Sequence, residues 1–124
     1  MTLRDKRILI VEDEPFIALD LACAVEDAGG EPVGPATSVR RALALVGDGG
    51  IDGAILDVDL VDGHSVPVLE VLAARGVPVV IHTGIGLPEA ARDRFPAVPV
   101  HVKPTPALTL VAALAQLLAV SSGT

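Results

Sequence analysis

The chain has no tryptophan and no tyrosine, and its only aromatic residues are Phe16 and Phe95. With so few π-faces there is little to stack on a flavin, a nucleobase or a sugar ring, so functions built on ring binding lose weight. Cysteine is nearly absent too. Cys23 alone makes neither an internal disulfide nor a cysteine-based zinc site, and no Cys-His metal spacing surrounds it; the expected role is that of a small buried hydrophobe. Basic residues are scarce, nine Lys and Arg against sixteen Asp and Glu for a net charge of -7, and no basic cluster exceeds Arg40-Arg41. Such a surface repels a phosphate backbone, and direct nucleic-acid binding is not expected. Nor is there an uninterrupted apolar run of the roughly 18 residues a membrane span needs. The opening MTLRDKRILIVEDE turns acidic where a secretion signal stays apolar. The expectation is a soluble cytoplasmic protein with no membrane partner.

What is present suffices for a core. The 124 residues are 51% hydrophobic and 20% charged, too apolar for a disordered acidic tail. A domain of this length buries roughly two-thirds of its unfolded surface without staples. One domain over residues 1–124 is expected, with no repeat, linker or low-complexity tract.

Short β-branched runs alternate with helical periodicity. Residues 7–11 (RILIV) read as a buried parallel strand stopped by Glu12-Asp13-Glu14 and Pro15. Ile17, Leu21, Ala24, Val25 and Ala28 recur at helical spacing from Pro15 until Gly29-Gly30 terminates them. The same reasoning gives a weak strand near 32–34, a helix over 38–46 capped by Ser38, a strand over 51–56 and a helix over 65–74. It continues with a strand over 77–81, a short helix over 88–94, a strand over 98–102 and a helix over 106–120. Five β-α units in succession predict a parallel α/β sheet, doubly wound in three layers, with right-handed crossovers.

In open sheets of this kind ligands sit beyond the carboxyl ends of the strands. Those ends carry Glu12 and Asp13, then Asp57, then Thr83, then Lys103 with Pro104. Three carboxylates gathered at two neighbouring strands repel one another unless a cation joins them. Oxygen ligands alone, with no His or Cys, suit hard Mg²⁺, which keeps waters and accepts phosphate oxygens. Lys103 adds a fixed positive charge and Thr83 a hydroxyl donor, the complements of a phosphoryl group carried on Asp57 as nucleophile. Any one of these residues alone would be an ordinary surface acid or cap; the five complementary types at successive strand ends make the joint pattern informative.

These residues fall in V-E-D-E-P after the first strand, L-D-V-D-L-V-D-G around Asp57, H-T-G after the fourth and K-P at Lys103-Pro104. Four motifs in this order, covering nearly the whole chain, resemble the receiver domains of two-component response regulators. The resemblance implies a flavodoxin-like sheet of strand order 2-1-3-4-5 and phosphorylation of Asp57 by a sensor histidine kinase or phosphotransfer protein. It implies Mg²⁺ held by Glu12, Asp13, Asp57 and the backbone carbonyl of Asp59. Thr83 would be the switch hydroxyl, Lys103 the phosphate-pairing lysine, and the Lys103–Pro104 bond cis. No output domain is expected in this chain, whose signal would pass to a downstream protein partner or a second copy. Such a domain catalyses only its own phosphoryl transfer and slow dephosphorylation.

Departures from the family pattern bear on the output. Val100 stands where receivers usually carry a rotating Tyr or Phe, Thr105 where an aromatic often follows Lys-Pro, and Val61 where proline is common. Residues 81–86 (IHTGIG) resemble a degenerate form of the Phe-Ala-Thr-Gly-hydrophobic-Tyr motif of a subgroup of stand-alone receivers, commonly partnered with kinases of the HWE or a related class. With Val100 too small to swing, the loop at Ile85 is expected to carry the signal. The final helix has only Thr109 and Gln116 as polar residues between Ala107 and Val120, leaving an apolar outward face beside Ile85 and Val100 as the expected output surface.

Three rival readings share some of these residues. Asp57-Val58-Asp59-Leu60-Val61 fits the D-x-D-x-[TV] nucleophile motif of haloacid-dehalogenase-type phosphatases, but there the nucleophile lies near the N-terminus and the acidic pair comes last. A calcium loop lacks its ligands at Val61 and Val68. A phosphorylation-independent interaction module of receiver shape is the other alternative, against which the intact Asp57, Thr83 and Lys103 argue. His82 and His101 are expected to be structural sheet residues, His64 to face water, and Asp59 to modulate attack on an acyl phosphate by its side chain.

Overall fold

The computed structural model describes residues 2–47 and 49–122. Five strands, β1 (Arg7–Val11), β2 (Glu31–Ala36), β3 (Gly53–Leu56), β6 (Val79–Thr83) and β7 (Val100–Val102), form one parallel sheet in the order β2-β1-β3-β6-β7. Counting only these strands, the order is the expected 2-1-3-4-5. Between β3 and β6 lies a two-stranded antiparallel hairpin, β4 (Asp59–Leu60) with β5 (Gly63–His64). The helices are α1 (Pro15–Asp27), α2 (Val39–Gly47), α3 (Val66–Ala74), α4 (Glu89–Arg94) and α5 (Ala107–Ser122).

Side chains alternate between the two faces of a strand, and both faces here are covered. Ile8 and Ile10 of β1 join Ile55 and Val80 in a cluster with Leu21 and Val25 of α1 and Leu110, Val111 and Leu114 of α5. Leu9 and Val11, on the other face, pack with Leu56 and Ile81 against Ala42 and Val46 of α2, Leu69 and Leu72 of α3 and Ala91 of α4. Of the six residues of α4, Ala91 is the one that is buried. Among the described residues no helix is long and apolar enough to cross a membrane.

Helix ends follow local chemistry. Pro15 sits in the first turn of α1, and the Ser38 hydroxyl accepts the Arg41 N–H at 3.1 Å to cap α2. At Gly34 the backbone takes φ +96°, and a Cβ there would lie 2.7 Å from the Ala36 nitrogen and 2.9 Å from the Ile10 oxygen. Only glycine fits this irregularity in the β1–β2 register.

Three strands, β3, β6 and β7, begin two residues later than their apolar runs, and before β6 and β7 stands a proline. The Val77 N–H returns to the Leu72 carbonyl at the end of α3, and Pro78 has none to donate; likewise the Val98 N–H bonds the Phe95 carbonyl before Pro99. Cys23 corrects the sequence expectation: it is exposed, not buried. The inward stripe of α1 runs through Ala18, Leu21 and Val25, and a residue two positions from Leu21 points to the opposite side of a helix of 3.6 residues per turn. The hairpin went unread because two-residue strands carry no periodicity.

Candidate functional site

Sheet register gathers the strand-end residues. Val11 lies opposite Leu56, and the Asp57 N–H bonds the Val11 carbonyl at 2.8 Å, so Glu12, Asp13 and Asp57 emerge side by side at the carboxyl ends of β1 and β3. Thr83 pairs in register with Val102, and the Lys103 N–H donates to the Thr83 carbonyl at 2.8 Å, which aligns these two residues at the ends of the next strands, β6 and β7.

Ligand oxygens of Glu12, Asp13 and Asp57 all lie within 4.8 Å of one another. Glu12 and Asp57 are buried, Asp13 half-buried. The Lys103 ammonium donates to Asp57 Oδ2 at 3.1 Å and to Glu12 Oε2 at 3.2 Å. It also lies 3.1 Å from Glu12 Oε1, without hydrogen-bond geometry, so that buried oxygen has no donor. Burial pushes the Glu12 carboxyl up to about 7 from 4.5; the Glu14 N–H, which donates to Oε2 at 3.1 Å, works against this, and the Asp57 charge reinforces it. Burial opposes the Lys103 charge, but hydrogen bonds to Asp57 and Glu12 outweigh it and raise the ammonium above its ordinary value. One lysine thus offsets part of the charge of three clustered acids. An all-oxygen donor set with an orphaned buried oxygen fits a hard divalent cation such as Mg²⁺.

Thr83 is fully buried. Its Oγ1 accepts the N–H groups of Ile85 and Gly86, both at 3.2 Å, an arrangement that ties the hydroxyl to the following loop. Ile85 is 79% exposed at the surface of that loop, and Val100 is 38% exposed on β7. The Lys103–Pro104 peptide is cis. His82 is buried and its Nε2 accepts the Thr105 N–H at 3.3 Å. Burial, aided by the Lys103 charge, lowers its pKa, and its buried Nδ1 has no hydrogen-bond partner among the described residues. His64 and Asp59 are both exposed.

Two residues of the segment that follows Asp57 carry contacts that the sequence does not announce. The Asp62 carboxylate, at the hairpin turn, accepts the Val39 N–H at 2.7 Å and the Arg40 N–H at 3.2 Å; these bonds hold its carboxyl below the usual range. Ser65, read only as the start of a helix, donates its hydroxyl to the Asp57 carbonyl at 2.6 Å. Both contacts are tertiary, and only the Asp-Gly turn signal at Asp62-Gly63 marks their neighbourhood.

No family model matches the chain. SdrG from Sphingomonas melonis Fr1 is 43% identical, with a TM-score of 0.75 over 95% of this chain and 98% of SdrG. A CheY-like response regulator receiver domain from Methanospirillum hungatei JF-1, 24% identical, has a TM-score of 0.85 over 96% of this chain and 98% of its own, a likeness of fold. The phyllosphere-induced regulator PhyR of Methylorubrum extorquens is 39% identical over 79 residues, 61% of this chain; the match spans about 30% of PhyR's length. With the parallel sheet, the strand-end pocket and near-complete alignment with SdrG in agreement, the chain belongs to the CheY-like response regulator receiver domains.

Proposed function

We propose that this receiver takes a phosphoryl group onto Asp57 in a Mg²⁺-dependent reaction, from a sensor histidine kinase or a phosphotransfer protein in the cytoplasm, and thereby switches its binding to other proteins. The observation that carries the reading is the Lys103 ammonium held 3.1 Å from Asp57 Oδ2 inside a cluster of three carboxylates. The carboxylate oxygen of Asp57 attacks phosphorus while the P–N bond to the donor imidazole breaks and the imidazole leaves. Glu12, Asp13, Asp57 and the Asp59 carbonyl would hold Mg²⁺, which supplies charge neutralisation to the transferred group. Lys103 pairs with the phosphoryl oxygens. A donation from the Thr83 hydroxyl to a phosphoryl oxygen releases the Ile85 and Gly86 N–H groups, and the loop from Gly84 repacks.

That repacking would reach a surface comprising Ile85, Val100 and the outward face of α5, where Leu108 and Val120 are exposed. A downstream protein or a second copy would bind there. SdrG has been described in a BeF3-activated conformation, and a PhyR from Bartonella quintana is described as an anti-anti-sigma factor. Both descriptions favour a signalling output over turnover of a small substrate. The test is the intact mass after incubation with a small phosphodonor and Mg²⁺. One phosphoryl group should be added, and Asp57→Asn or chelation should abolish it; an increment that survives both refutes the assignment.

A further inference from the structure

We infer that Ser65 is a positioning residue for the metal-binding loop: it fixes the peptides between the acceptor Asp57 and the Asp59 carbonyl, and so sets the affinity for Mg²⁺. The inference rests on the Mg²⁺ reading of the Glu12–Asp13–Asp57 pocket.

Ser65 stands immediately before α3, where a serine hydroxyl ordinarily accepts a backbone N–H of the first helical turn. It makes no such cap here. Its hydroxyl instead donates to the Asp57 carbonyl at 2.6 Å, and its own N–H donates to the Val58 carbonyl at 2.7 Å. The Ser65 carbonyl meanwhile accepts the N–H groups of Val68 and Leu69. One buried residue therefore fastens the start of α3 to two successive peptides of the loop.

Asp59 follows at once, and its register partner in the hairpin is His64, the neighbour of Ser65. The backbone of Asp59 is thus held on one side through Val58 and on the other through His64, both of which lead to Ser65. Asp57 is 5% exposed and Ser65 2% exposed. Without the hydroxyl, the Asp57 carbonyl loses its donor in a site with little access to water. Rotation of that peptide toward a new partner displaces the Asp57 carboxylate and the Asp59 carbonyl together. Groups that orient metal ligands from behind typically change affinity by about 10–100-fold when removed.

The test is calorimetric titration of Mg²⁺ into the intact chain and its variants, with circular dichroism to verify folding and denaturant unfolding in EDTA to measure stability. Ser65→Ala should bind Mg²⁺ about 10–100-fold more weakly, whereas a serine that serves only the fold would lower stability in EDTA and leave affinity unchanged. Should Ser65→Ala fail to fold, Ser65→Cys, close in size and a poorer donor, must show weakened Mg²⁺ binding. Affinity within about twofold of wild type in the folded variant, set against that expected loss, overturns the role of Ser65 alone. Absence of Mg²⁺ binding by the wild type overturns the pocket reading and this inference with it.

Discussion

Glu12→Gln should make the metal-free protein more stable, and by an amount that depends on pH. Glu12 is 1% exposed, one of its oxygens has no donor, and its carboxyl is held at about 7 against an ordinary 4.5. Ionising it in the folded chain therefore costs about 3 kcal/mol relative to the unfolded chain. Below pH 4.5 the carboxyl is neutral in both states and costs nothing. Between 4.5 and about 7 the unfolded chain ionises first, so wild-type stability falls as the pH rises; above 7 the full penalty is in place. Glutamine keeps an acceptor for the Glu14 N–H and carries no charge. Denaturant unfolding in EDTA should show the variant ahead by about 1–3 kcal/mol at pH 8, with the gap closing towards about pH 4.5. Adding Mg²⁺ at about 100 times its dissociation constant should stabilise the wild type by about 2.7 kcal/mol and the variant by much less, which removes the advantage. A gap independent of pH, or a less stable variant at pH 8 in EDTA, would refute the argument that the buried Glu12 charge is the destabilising element.

Three further outcomes follow from other parts of the molecule. His82→Leu should gain stability relative to wild type as the pH falls below 6.5, because the burial that lowers the His82 pKa favours its neutral form; parallel pH–stability curves would contradict this. Cys23 should react with one equivalent of a thiol reagent in the native protein, and a reaction that appears only in denaturant would place it in the core after all. Gly34→Ala should lower stability by more than about 1 kcal/mol, measured by urea unfolding, since the strained φ and the 2.7 Å approach to the Ala36 nitrogen leave no room for a methyl group.

The strand ends were the readable part of this chain. In a parallel sheet buried on both faces, an apolar run ends where the chain leaves the core, so Glu12, Asp57 and Lys103 mark the site in the linear sequence itself. The pattern of apolar spacing also separated α1 and α5 from the loops correctly, but it did not say which face Cys23 would occupy. That follows from Leu21 and Val25 on the opposite side of the helix rather than from cysteine's usual preference for burial. Boundaries at Val77 and Val98 slipped because prolines 78 and 99 interrupt the hydrogen-bond ladder without interrupting the run of hydrophobicity. Ser65 and Asp62 were beyond reach for another reason: their partners, Asp57 and the first turn of α2, are set by the return of the hairpin, which no local period records.

The modest burial of α4 bears on where a signal can travel cheaply. The Thr83 hydroxyl is tied to Ile85 and Gly86, and the loop they begin runs directly into this six-residue helix with its single buried alanine. By contrast α5 commits Leu110, Val111, Leu114, Ala115 and Leu118 to the core. A segment that buries little apolar surface opens at small free-energy cost, while one that buries five side chains opens only when the whole domain does. The molecule therefore places a lightly anchored helix a short loop away from the Thr83 hydroxyl, the switch group of the proposed function, and a deeply anchored one on the opposite face of the sheet.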